Sequence, residues 1–297
     1  MRFAVQDGKG ETGMIGIFDS GHGGLTVLNA LQRRFPEQSF IYLGDHGNAP
    51  YGNRPAEEIV ALTRTGCETL FGMGCRLVVL ACNTATCVAA RRLQREWLPS
   101  SPYAGTYNVL GIAAPTVEAA TQTPWGVTSP QYPQKYNSDV IAVFGTTRTI
   151  ASGVFPEEIR KRCPRITVVQ QACPQLAGAI EAGRPETELE AIVRSAVAAL
   201  IEKTDGEPPH RAILGCTHYP LVEPLFRRHL PKFTRLLSQP EVVADSLEDY
   251  LNRHPYYAEP GCGAAHLRFL TTGEPASVSR VARIFWPEAP QFSELAV

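Results

Sequence analysis

Nothing in this chain reads as a membrane span or an export signal. The opening MRFAVQDGKGETG has no apolar core, and no later segment is long enough to cross a bilayer, so the protein is expected in the cytoplasm. An excess of one charge is also missing. The 28 Lys and Arg against 29 Asp and Glu leave a net −1, which excludes a broad electrostatic grip on nucleic acid or an anionic membrane. Eight cysteines are present without a C-x-x-C pair, and the nearby histidines lack zinc-finger spacing, so no structural metal is expected. Cytoplasmic thiols stay reduced, and Cys67, Cys75, Cys87, Cys163, Cys173 and Cys262 read as small buried apolar residues. The turn FDSGHGG lacks the G-x-G-x-x-G spacing of a dinucleotide loop. Lys9, Lys135, Lys161, Lys203 and Lys232 all lie in polar stretches, which leaves no site for a pyridoxal phosphate aldimine.

What remains is an ordinary globular composition, 44% hydrophobic and 19% charged, over 297 residues, enough for one large or two medium domains. Short apolar runs alternate with helical patterns. Strands are expected at 15–18, 40–43, 77–81, 140–144, 166–170 and 212–215, with helices at 23–34, 55–73, 84–97 and 187–203. Beyond 245, SLEDYLNRH reads as a helix and LRFLTTG as a strand-like run. Strands separated by helices imply parallel sheets covered on both faces. Residues 1–13 read as a loose polar tail. Residues 121–138, rich in Pro, Ser, Thr and aromatics, read as a long loop that folding does not require.

The two halves repeat each other. IGIFDSGHGGLTV has the shape of IAVFGTTRTIASG, LGDHGNAPYG that of QQACPQLAG, and LACNTAT that of LGCTHYP. Phe18, Asp45 and Cys82 thereby correspond to Phe144, Cys173 and Cys216. The matched turns lie at the carboxyl ends of strands, where parallel α/β sheets bind ligands. Two such halves facing each other, related by a pseudo-twofold, put Cys82 and Cys216 on opposite walls of one cleft.

Each of these cysteines ends a buried strand and is followed by hydrogen-bonding side chains: Asn83 and Thr84 in one case, Thr217 and His218 in the other. A helix N-terminus after Cys82 supplies free N–H groups and partial positive charge, which lowers a thiol pKa toward neutrality and binds carboxylate. His218 is placed to hold or relay a proton near Cys216. Two matched thiols suit removal of a proton from one face of a planar intermediate and delivery to the other. The carbanion of an amino acid then has to be stabilised by fixed donors. His22 and His46 read as hydrogen-bonded or solvated bystanders, and Cys173, followed by Pro174, as structural.

At these residues the sequence resembles the glutamate racemases. IGIFDSGHGGLTVL, YLGDHGNAPYG, ACNTAT, VFGTTRT, ACP followed by IEAG, and LGCTHYPL are similar to that family's successive motifs, in its order, from about residue 14 to LRFLTTGEP. The resemblance implies cofactor-independent racemisation of glutamate, with Cys82 acting on the D and Cys216 on the L enantiomer. It implies that Asp19 assists Cys82 and contacts the amino group, and that His218 and Glu181 assist Cys216. Ser20, Tyr51, Gly52, Asn83, Thr84, Thr147, Thr217 and His218 are the residues it places around the substrate. It further implies two α/β domains, residues 14–108 completed by 236–297 and residues 109–235, a homodimer, and a supply of D-glutamate for peptidoglycan. The sequence departs from the pattern at His22, in the LAGAIE context of Glu181, and in the longer loop at 121–138. Three alternatives stay open: an aspartate racemase, a related two-cysteine isomerase, or an amino-acid binding protein that has lost the chemistry.

Overall fold

The computed structural model describes residues 13–134, 136, 138–258, 265–288 and 290–295. Cys262, Lys9, Lys135 and the tail at 1–12 lie outside the described residues. The strands are β1 (Ile15–Asp19), β2 (Phe40–Gly44), β3 (Leu77–Leu80), β4 (Asn108–Gly111), β5 (Val140–Gly145), β6 (Thr167–Ala172), β7 (Arg211–Gly215), β8 (Arg235–Leu237), β9 (Leu267–Thr271) and β10 (Phe292–Glu294). They form two sheets, a six-stranded one in the order β10-β9-β2-β1-β3-β4 and a four-stranded one in the order β6-β5-β7-β8. All the pairings are parallel. This is the two-sheet α/β architecture that the alternation of strands and helices predicts.

The helices are α1 (Leu25–Arg34), α2 (Ala56–Gly72), α3 (Asn83–Ala85), α4 (Ala113–Thr121), α5 (Thr147–Ala151), α6 (Val154–Arg162), α7 (Leu176–Glu181), α8 (Glu186–Glu202), α9 (Glu223–His229), α10 (Gln239–Arg253) and α11 (Pro275–Ala282). The helix expected at 84–97 runs from α3 into two π-helical stretches, Thr86–Ala90 and Leu93–Trp97. The pleat divides each strand between two cores. Ile15, Ile17, Phe40 and Tyr42 face the side of α1 and α10, whereas Phe18, Ile41 and Leu43 join Leu70 and Phe71 of α2. In the second sheet Ala142, Phe144 and Leu214 pack with α8 and α9, while Ile141, Val143 and Ile213 pack with α6. The first of these cores is continuous through both halves. Each such side chain taken fully out of water contributes roughly 1.5–3 kcal/mol.

Register turns the sequence repeat into geometry. Phe18 pairs with Leu43 and Leu80, and Phe144 pairs with Gln171 and Leu214. Two residues beyond those partners stand Asp45 and Cys82 in one sheet, Cys173 and Cys216 in the other. The backbone bonds match as well: Asp45 N donates to Asp19 O at 2.9 Å, and Cys173 N to Gly145 O at 2.8 Å. The six-stranded sheet takes β1–β4 together with β9 and β10, so the segment from 267 returns to it, and β4 reaches Gly111.

The loop at 121–138 is more engaged than its composition suggests. The guanidinium of Arg162, 2% exposed, lies over the Trp125 ring at 4.4 Å and donates to Trp125 O, while Gln134 Nε2 donates to Arg162 O at 3.2 Å. Arg211 lies over Tyr136 at 3.6 Å. A polar segment with no periodic apolar face here covers two buried cations, a function that no hydrophobic pattern reveals.

Candidate active site

The two cysteine turns share one cavity of about 160 Å³ between the sheets. That volume holds a small polar metabolite, well below the roughly 300–1,000 Å³ of sites for drug-sized ligands. Its lining includes Ser20, Tyr51, Gly52, Cys82, Asn83, Thr84, Thr147, Cys216, Thr217 and His218, all singled out from sequence. Pro50, Asn53, Thr146, Cys173, Pro174, Ala177 and Gly178 line it too and were not assigned to the site. Asp19 and Glu181 stand one layer back. Cys173, which read as structural, therefore faces the cleft, and burial pushes its thiol up to about 12.

Cys82 caps α3: its Sγ accepts from Ala85 N at 3.4 Å and sits 3.3 Å from Ser20 Oγ. The expected drop of its pKa toward neutrality does not occur. Burial and the nearby Asp19 carboxyl push the thiol up to about 12, and the Ala85 N–H and Ser20 only partly oppose them. A short capping turn supplies one good donor, whereas desolvation acts on the whole sulfur. Asp19 is buried; its Oδ1 accepts from Gly21 N at 2.6 Å, and its Oδ2 has no hydrogen-bond partner among the described residues. Burial raises this carboxyl to about 6 despite the nearby His218.

Cys216 has different company. His218 Nδ1 is 3.6 Å from its Sγ, and His218 Nε2 donates to Glu181 Oε1 at 2.8 Å. Burial opposes charge on His218, but Cys216 and Glu181 outweigh it and hold the ring's pKa well above the usual histidine value. Against its own burial, the hydrogen bonds and charge of His218 and His22 hold Glu181 well below the usual carboxylate range. The β1–α1 turn presses against this group. A Cβ on Gly23 would collide with His218 Nδ1 and Thr217 Oγ1, so only glycine lets the first half approach so closely. Thr26 Oγ1 donates to Thr217 O at 2.9 Å across the same seam.

The remaining walls are fixed by hydrogen bonds. Tyr51 donates to Asp45 Oδ2 at 2.6 Å, and Asn48 and Thr272 donate to Asp45 Oδ1. Burial and Asp45 raise the Tyr51 phenol far above its ordinary range, so it stays neutral. Thr84 Oγ1 lies 3.0 Å from Thr146 Oγ1 and 3.2 Å from Thr149 Oγ1, closing the cleft from both sides. Thr146 caps α5 by accepting from Thr149 N at 3.2 Å. Asn83 exchanges amide bonds with Gln239, which also donates to Thr116 at 2.8 Å.

No family model matches the chain. A glutamate racemase from Phenylobacterium zucineum is 50% identical over 275 residues, which is 92% of this chain and 96% of that protein. The chain belongs to the glutamate racemase family. With that family it is an isomerase of the amino-acid racemase class. A crystal structure of a glutamate racemase isoform from Bacillus anthracis superposes with a TM-score of 0.82 at 28% identity, covering 97% of this chain and 98% of that one. A glutamate racemase from Thermus thermophilus in complex with β-chloro-D-alanine gives a TM-score of 0.77 at 26% identity over 97% and 99%.

The structure adds to the sequence reading of the site mainly in its second layer. His22, which read as a bystander, is 6% exposed; its Nδ1 lies 3.2 Å from Glu181 Oε1 and its Nε2 lies 3.1 Å from Val278 O. The signal available in the sequence was a polar ring in a turn otherwise built of small residues. His46 is held by Thr271 and Gly44 at 2.9 and 3.0 Å, and burial lowers it to about 3, which keeps it neutral. Among the described residues, no helix is long and apolar enough to cross a membrane.

Proposed function

We propose that this protein interconverts L- and D-glutamate by moving the α-proton between two thiols, without an organic cofactor or metal, and so supplies D-glutamate for peptidoglycan in the cytoplasm. The observation that carries the reading is the pair of cysteines at equivalent register positions of two sheets, lining one small cavity. In the L-to-D direction the Cys216 thiolate takes the α-proton. The electron pair passes into the substrate carboxylate, and the Cys82 thiol delivers its proton to the opposite face. The thiol and thiolate have then exchanged sites, and the reverse reaction runs from Cys82. His218, steadied by Glu181, assists Cys216, and Asp19 and Ser20 assist Cys82. Tyr51, Gly52, Asn83, Thr84, Thr147 and Thr217 hold the substrate's charged ends, which suits fixed donors acting on developing negative charge. A homodimer is the assembly that accompanies this reading, and light scattering tests it.

The test of substrate and cofactor is circular dichroism of L-glutamate and of L-aspartate incubated with the purified protein. Loss of the L-glutamate signal is expected, undiminished by chelator or by hydroxylamine, which attacks pyridoxal aldimines. Preferential loss of the aspartate signal, or activity restored only by a metal or pyridoxal phosphate, overturns it. In heavy water the product enantiomer is expected to carry deuterium at Cα at early conversion while recovered substrate stays nearly unlabelled. Equal labelling of both, or the original proton carried into product, removes the two-thiol mechanism.

A further inference from the structure

The geometry points to His22 as a positioning residue for the Cys216 acid/base, a role that rests on the two-thiol reading above. Four polar contacts run in one line from the returning C-terminal segment to the sulfur. His22 Nε2 meets Val278 O of α11 at 3.1 Å, and His22 Nδ1 meets Glu181 Oε1 at 3.2 Å. The same Oε1 meets His218 Nε2 at 2.8 Å, and His218 Nδ1 faces Cys216 Sγ at 3.6 Å. A carbonyl only accepts, so His22 Nε2 donates to Val278, which fixes the ring's orientation. Nδ1 then faces the Glu181 carboxylate, and His218 uses Nε2 on that same carboxylate oxygen, leaving its Nδ1 toward the thiol.

The supports of this line are unequal. The Glu181 side chain is 35% exposed and ends a six-residue helix, so nothing in its own element keeps the carboxylate from turning to solvent. His22 is nearly inaccessible, and its ring stacks on Phe285 at 5.8 Å with 14° between the planes. Glu181, His218 and Cys216 all belong to the second half of the chain, whereas His22 stands in the turn between β1 and α1 of the first. The first half therefore supplies the fixed post against which the second half's histidine is aimed. The equivalent line on the Cys82 side is absent among the described residues: no imidazole contacts that sulfur.

Two substitutions separate the two contacts of the ring. His22→Asn puts an amide N–H near the Nδ1 position and keeps the hold on Glu181. His22→Gln puts one near Nε2 and keeps the anchor on Val278 but releases Glu181. The expected outcome is a fall in kcat of about ten- to a hundredfold in His22→Gln with KM within about twofold, and near-normal turnover in His22→Asn, since loss of positioning costs rate rather than binding. Isotope effects with α-deuterated substrate are expected to grow in His22→Gln only for the direction in which Cys216 abstracts the proton. The ring-nitrogen NMR signals of His218 are expected to move in His22→Gln and stay in His22→Asn. Equal loss in both variants with isotope effects changed alike in both directions, or His218 signals unmoved in His22→Gln, overturns the role. The NMR outcome decides the contact even if the protein leaves glutamate untouched, so failure of the functional reading and failure of this inference are told apart.

Discussion

The Cys82 turn and the Cys216 turn occupy the same register in their sheets and yet differ in how a proton is held there. Behind Cys82 stand a hydroxyl at 3.3 Å and a buried carboxyl, and the thiol is pushed up to about 12. Behind Cys216 stands an imidazole at 3.6 Å, itself backed by a carboxylate. Enantiomers have equal free energies in water, so a racemase needs kcat/KM alike in the two directions even when its two bases are unlike. The two turns share a register, and the residues behind each sulfur set a different charge there. The asymmetry belongs in the resting protonation state and in the separate kcat and KM values, where equal kcat/KM leaves room for it.

Replacing either thiol tests the comparison most severely. Cys82→Ser and Cys216→Ser are each expected to lower kcat/KM by about 10³-fold or more in both directions, because a hydroxyl is far too weak an acid and base for this proton. A serine variant at one position that keeps kcat/KM far above that of the other would break the symmetric part of the comparison. The next effect separates the partners. His218→Gln is expected to lower kcat by about a hundredfold, the scale of losing one acid/base assistant, measured by the same dichroism assay. A loss no larger than that of Ser20→Ala would mean that the two turns are electrostatically alike after all.

Stability against pH probes the Cys82 side without catalysis. Asp19 titrates near 3.8 when unfolded and near 6 in the fold, so the native state binds more protons between those values. Stability contributed at this position therefore falls as pH rises from about 4 to about 6 and is level above. Asp19→Asn, which imitates the neutral acid, is expected to remove that fall and to be more stable at pH 7 by up to about 3 kcal/mol, two pKa units' worth. Denaturant melts of both proteins across that range decide it; parallel curves reject the buried-acid picture. The smallest change is Ser20→Ala, which deletes one contact to Cys82 and is expected to cost roughly 1 kcal/mol of activation free energy, several-fold in kcat.

Local pattern carried much of this molecule. Alternation of apolar runs and helical stretches announced the parallel sheets, because strands buried on both faces must read as continuous hydrophobic runs. The repeat of Phe18, Asp45 and Cys82 as Phe144, Cys173 and Cys216 announced a shared register, since a one-residue slip would exchange the two faces of a strand. Short strands such as β8 and β10, of three residues each, left too little period to read.

By itself, then, the sequence determined the two-sheet fold and the pair of cysteines at the ends of equivalent strands, along with the small polar residues that follow them. These are near-neighbour properties of strand, turn and helix. Tertiary structure alone decided the protonation landscape and its supports. The Cys82 thiol is raised rather than lowered because desolvation depends on everything packed around the sulfur. His22 meets Glu181 across 159 positions of chain, and Trp125 meets Arg162 across 37, contacts that no period or local spacing encodes. Burial and long-range juxtaposition are properties of the packed whole, and they make two turns of similar sequence chemically different.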